Sequence, residues 1–128
     1  MKVLLDTHTF VWWATDDPKL SAKARSVIAS FENEVYVSAV TGWEISTKVR
    51  LGKWPGAEVL AMSFGDVIPV LAFKDLPVRL NHAQRAGLLP GEHRDPFDRM
   101  LIAQSQAENM PVISVDAVFD EFHVVRIW

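Results

Sequence analysis

Two rhythms of apolar positions alternate along the chain. Short β-branched or aliphatic runs occur at Lys2–Asp6, Val35–Ser38, Val67–Ala72, Val112–Ser114 and Val124–Trp128. Between them, apolar residues recur at helical spacing. Strand runs alternating with helical patterns are the signature of βαβ units. The predicted fold class is therefore α/β, a three-layer α/β/α domain with a mainly parallel sheet, spanning 1–128 as one domain.

Breakers and caps place the helices. A short helix is expected over Thr9–Ala14, followed by a turn at Asp16-Asp17-Pro18. Ser21 is a suitable N-cap for a second helix with Ala24, Val27, Ile28 and Phe31 on its apolar face. The next helix runs from about Val40 to Leu51, with Gly52 as its stop. Gly42 inside it costs about 1 kcal/mol relative to Ala, which weakens that helix locally. A helix over Ala57–Phe64 leads into the third run, where Pro69 marks an edge strand. Leu76–Ala86 reads as a helix ended by Gly87 and Pro90. Asp95 is an expected N-cap, with Pro96 as the first helical residue and Asp98 in the first turn of a helix reaching Glu108.

Composition narrows the class. The chain has 128 residues, 49% of them hydrophobic, which suits one folded domain. It contains no cysteine, which excludes disulfides, thiolate catalysis and cysteine-bound metals. That fits a reducing cytoplasm. The first strand begins at residue 2, leaving no room for a signal peptide, and no apolar run approaches the ~20 residues of a membrane helix. A cytoplasmic protein with no membrane contact is expected. The net charge of −3 gives no global support for nucleic-acid binding. Carboxylates that hold divalent cations would reverse that sign locally, so a phosphodiester substrate is not excluded.

Four acids carry the candidate chemistry: Asp6, Glu44, Asp98 and Asp116. Each falls at or near the carboxyl end of an expected strand, where open α/β sheets bind ligands. Each also has a plainer reading. Asp6 and Asp116 suit turns. Glu44 can pair with Lys48 at i+4. Asp98 can complement a helix dipole, although Asp95 already serves that need. Taken together they form a set of hard oxygen donors suited to Mg²⁺ or Mn²⁺, and carboxylates accept either ion. One or two ions fit such a set.

Other motifs are weaker. His8, His82, His93 and His123 have no metal-ligand spacing and read as structural or loop residues. His93 and Arg94 sit beside Asp95, within reach of a phosphate. Trp43 and Trp54, near Lys48, Arg50 and Lys53, suit either a stacking surface or packing, and packing is the plainer role for all five tryptophans. There is no P-loop, no G-x-G-x-x-G and no nucleophile elbow. An aspartyl-nucleophile phosphatase would need an acid at residue 8, where His8 stands. A receiver-like domain would need an Asp after the third run, and Val70-Leu71-Ala72-Phe73 has none. A non-enzymatic RNA- or protein-binding module is the remaining rival.

At this point the chain resembles a known family, the PIN-domain ribonucleases, and most of all the VapC-type toxins of toxin–antitoxin pairs. The resemblance rests on Val3-Leu4-Leu5-Asp6-Thr7-His8, on Trp43-Glu44-Ile45 with Lys48–Lys53, on His93–Gln104, and on Ile113-Ser114-Val115-Asp116. It implies strand order 3-2-1-4-5 and a metal-dependent endoribonuclease that leaves a 5′-phosphate and a 3′-hydroxyl. The family's acids map onto Asp6, Glu44, Asp98 and Asp116. Asp95 is an extra acid with a capping or supporting role. Ser114 stands where the family usually has Thr, and Thr7 is a further supporting hydroxyl. Lys48, Arg94 and Arg99 are the candidate RNA contacts. The resemblance also implies a cognate antitoxin that covers the site, and a homodimer.

Overall fold

A computed structural model describes residues 1–128. Its centre is a five-stranded sheet in the order β3-β2-β1-β4-β5, with every neighbouring pair parallel. The strands are β1 (Lys2–Leu5), β2 (Glu34–Ser38), β3 (Lys74–Leu76), β4 (Val112–Ile113) and β5 (Arg126–Ile127). The expected class and strand order are both found.

Alternation along β1 builds the layers. Successive side chains of a strand point to opposite faces. Val3 and Leu5 join one apolar cluster with Phe10, Ala24, Ile28, Val35, Val37, Ile45 and Ile113. Leu4 joins the other with Val40, Leu101, Ile102, Val112 and Phe119. Val3, Leu4 and Leu5 are fully buried, as expected for a central parallel strand covered on both faces.

Eight helical segments surround the sheet. They are α1 (Thr7–Ala14), α2 (Ala22–Ala29), α3 (Ala39–Arg50), α4 (Glu58–Met62), α5 (Phe64–Val70), α6 (Leu80–Leu88), α7 (Pro96–Glu108) and a 3-10 helix over Ala117–Phe122. Caps set their starts. Asp6, Ser21, Ser38 and Asp95 each accept a backbone N–H from the first turn of α1, α2, α3 and α7 respectively. Gly52 follows α3 at φ +69°, the left-handed conformation glycine adopts without cost.

Several expectations need correction. The expected strand Val67–Ala72 is not a strand. Phe64, Val67, Ile68 and Leu71 lie at i, i+3, i+4 and i+7, and all four turn toward the first cluster from α5 and its end. Pro69 sits inside this short helix. The third strand is instead Lys74–Leu76, whose only buried residue is Leu76. A three-residue polar edge strand leaves almost no period-2 signal. Leu76 therefore ends a strand, and α6 starts four residues later and continues through Gly87 to Leu88. Phe31 lies beyond α2 and is fully exposed. The last strand shrinks to Arg126–Ile127, and the 3-10 helix before it has no counterpart among the expected elements.

Gly42 gains a reason. A Cβ there would lie 2.7 Å from the Phe64 ring, so the missing side chain lets α5 pack against α3. The helix carries glycine for close approach, not for bending.

Candidate active site

Four parts of the chain deliver the acids to the carboxyl edge of the sheet: the end of β1, α3, α7 and the segment after β4. Asp6 directly follows β1 and caps α1, accepting the Thr9 N–H at 3.1 Å. Its other oxygen accepts a short hydrogen bond from the Ser114 hydroxyl, one residue beyond β4. Ser114 Oγ also accepts the Asp116 N–H at 2.9 Å. One buried hydroxyl thus ties the acid of β1 to the segment carrying Asp116. Thr9 Oγ1 donates to the Ile113 carbonyl at 2.8 Å and fixes α1 to β4. Thr7 and Thr41 share a buried hydrogen bond of 3.2 Å, joining α1 to α3.

Glu44 stands on α3 and is 4% exposed. Lys48 Nζ donates to it at 2.5 Å, so the i+4 pair expected on plain grounds does form. Asp98 stands in the first turn of α7, which Asp95 caps by accepting the Phe97 and Asp98 N–H groups. Asp98 Oδ2 shares a hydrogen bond of 2.9 Å with His93 Nε2. Asp116 is exposed and caps the 3-10 helix through Val118 N–H at 3.0 Å.

Asp6, Glu44, Asp95, Asp98 and Asp116 line one cleft of about 380 Å³, together with Thr7, His8, Trp12 and Lys48. Five carboxylates therefore face a single lysine. The electrostatics record this crowding. The Asp98 carboxyl is pushed up to about 6, first by burial and then by Asp95, Asp116 and Glu44, against the His93 hydrogen bond that favours its charged form. Burial also raises the Asp6 carboxyl above its ordinary value, opposed most by the Ser114 hydrogen bond.

No three of these side chains close into a ready-made metal-binding group. Lys48 and His93 each hold one acid by a direct bond. The donor set nonetheless fits a hard divalent cation. Every acid offers carboxylate oxygen, and the like-charge repulsion at Asp98 is what such an ion relieves.

A larger cleft of about 570 Å³ lies between α6, α7 and the 3-10 helix, lined by Arg85, Gln106 and Glu121 among others. None of the four acids reaches it.

The basic candidates separate. Lys48 lines the acid cleft. Arg94 is exposed on the loop before α7. Arg99 is engaged elsewhere, its guanidinium donating to the carbonyls of Ala86, Leu89 and His93. It staples the loop between α6 and α7 and has no free fork for a phosphate. His82 is fully buried, accepting the Arg79 N–H at Nδ1 and meeting Glu108 at 2.8 Å, a structural role as expected. Trp43 stacks edge-on against Phe97 outside the cleft. His8, expected in a structural or loop role, lines the cleft, and Trp12 both packs against the first cluster, as expected, and lines the cleft. Their i, i+4 spacing directly after Asp6 is the signal that could have found them.

Fold and cleft together define a class: parallel α/β domains with carboxylates gathered at the carboxyl edge of the sheet. The chain belongs to the PIN-domain family, whose sequence model matches residues 3–124. Solved structures share its fold. Mycobacterium tuberculosis VapC20, described as a sarcin-ricin loop cleaving toxin, is 15% identical with a TM-score of 0.70, covering 96% of each chain. FitAcB from Neisseria gonorrhoeae is 21% identical with a TM-score of 0.69, covering 98% of this chain and 96% of that one. VapBC2 from Rickettsia felis, bound to a DNA fragment from its promoter, is 16% identical with a TM-score of 0.66, covering 98% and 97%. A search of curated proteins finds no match.

Proposed function

We propose that this protein is a metal-dependent endoribonuclease toxin, held inactive by a cognate antitoxin. The observation that carries the reading is the meeting of Asp6, Glu44, Asp98 and Asp116 in one cleft, with Asp98 raised by burial and by its acidic neighbours. Perturbed carboxyls in a cleft mark candidate functional sites. Family membership and the fold shared with VapC and Fit proteins support the same reading.

Asp6, Asp98 and Asp116 would hold one or two Mg²⁺ or Mn²⁺ ions, with Glu44 completing the set. A bound ion of this kind makes hydroxide available near neutral pH and offsets charge on a transferring phosphate. The chain's own groups prepare the site. Ser114 fixes one Asp6 oxygen by donating to it. Asp95 fixes the first turn of α7 and thereby the position of Asp98. His93 favours the ionised form of Asp98 against burial. Lys48 balances Glu44 and, with exposed Arg94, would contact RNA phosphate. A type II antitoxin and a homodimer complete the proposal; a neighbour described as a toxin–antitoxin complex from Klebsiella pneumoniae supports the antitoxin.

The test is alanine replacement of Asp6 and of Asp98, with circular dichroism to confirm folding. Both variants are expected to lose RNA cleavage. Full activity in either folded variant would remove the assignment.

A further inference from the structure

One wall of the acid cleft is aromatic, and the carboxylate chemistry leaves it unused. His8 and Trp12 lie one turn apart on α1 and line the same cleft as the acids. The His8 ring centroid is 4.8 Å from Trp54 at an interplanar angle of 32°, and 5.7 Å from Trp12 at 54°. Trp12 in turn lies 5.8 Å from Trp128. Lys48 Nζ, the partner of Glu44, sits 5.4 Å from the Trp54 ring centroid. His8 is exposed, whereas Trp12, Trp54 and Trp128 are half-buried and pack against the core cluster. The wall thus has an open face on an anchored base.

We propose that His8, Trp12 and Trp54 form a base-stacking subsite that holds one unpaired nucleobase of the RNA beside the acids. The inference rests on the nuclease reading of the cleft. Its first support is electrostatic. Five carboxylates and one lysine line the cleft, so the chain itself offers a polyanion little attraction there. Stacking of a base on aromatic faces does not depend on the sign of the surrounding charge. Its second support is position. His8 is two residues from Asp6, and Lys48 joins Glu44 to Trp54, so the aromatic wall and the acids are contiguous. A base within a continuous duplex is stacked on both faces and cannot offer one. The subsite therefore selects single-stranded or looped RNA, where unstacked bases are free to meet aromatic side chains.

The test measures binding of labelled single-stranded oligoadenylate and oligouridylate, about ten nucleotides long, with Ca²⁺ as the divalent ion. The proteins are wild type, His8→Ala and His8→Phe, and the controls are the same strands in duplex form and with abasic sugars. His8 is exposed, so its variants are expected to unfold at the wild-type temperature. His8→Ala is expected to raise Kd about ten-fold, as loss of one base–aromatic contact does. His8→Phe is expected to restore binding. Duplex and abasic strands are expected to bind all three proteins equally weakly. Unchanged binding by His8→Ala would overturn the subsite. So would failure of His8→Phe to rescue, which would assign the effect to the imidazole's polarity. Metal-dependent cleavage of cellular RNA that is indifferent to His8→Ala would leave the nuclease reading standing and remove the subsite alone. Absence of both cleavage and binding would remove both.

Discussion

Replacing Asp98 with Asn should abolish activity and stabilise the protein. Asp98 carries a carboxyl raised from 3.8 to about 6, so its charged form is disfavoured in the folded state. Between about pH 4 and pH 6 the native protein binds a proton that the unfolded chain releases. Stability therefore falls as pH rises through that window, and the full penalty is present above it. At about 1.36 kcal/mol per pH unit the shift corresponds to about 3 kcal/mol. The side chain is 22% exposed. Screening by water and the lost favourable charge at the start of α7 reduce the net gain to about 1–2 kcal/mol. Asn keeps an oxygen to accept from His93, and Asp95 still caps the helix. Asp98→Asn should thus melt about 4–8 °C above wild type at pH 7.5. The gain should shrink through pH 6 to 4 and vanish below. The assay is thermal unfolding followed by circular dichroism across pH 4–8, with EDTA present so that no divalent ion compensates the charge. An Asp98→Asn variant no more stable than wild type at pH 7.5, or a difference independent of pH, would show that the Asp98 charge carries no such penalty.

Further outcomes follow from the same geometry. Mg²⁺ or Mn²⁺ at about ten times its Kd should stabilise the wild type by about 1.4 kcal/mol, and Asp98→Asn by much less; equal stabilisation of both would place the ion elsewhere. Gly42→Ala should destabilise the fold by about 1–2 kcal/mol, because the clash with Phe64 outweighs the helix propensity gained; a more stable variant in urea would show that the ring moves aside freely.

Legibility followed the strength of each local signal. β1, β2 and the start of α7 were plain in the sequence, because buried parallel strands are unbroken apolar runs and Asp95-Pro96 is a strong helix start. β3 was not, being three residues long at the sheet edge, and β5 was found within a run that overstated its two residues. Their pairing is a tertiary fact with little local imprint. Val67–Ala72 misled because β-branched residues and a proline hid the helical period of Phe64, Val67, Ile68 and Leu71. Gly42 was readable only once Phe64 was known to lie above it. In the site, the strand-end positions of the acids could be inferred, and the cleft contains all four. Of the aromatic wall, the i, i+4 pair His8 and Trp12 was readable, but the approach of Trp54 was not, because it reaches His8 from the loop after α3. Nor could the fate of Arg99, whose guanidinium is used by backbone carbonyls nearby.

The proposed metal-dependent ribonuclease site is tested most directly by incubation of total cellular RNA with the purified, antitoxin-free protein, in Mg²⁺, in Mn²⁺ and in EDTA, beside the Asp98→Asn variant. Discrete fragments that need the metal and disappear with Asp98→Asn are the expected result. Intact RNA under every metal, with the protein folded, would contradict it.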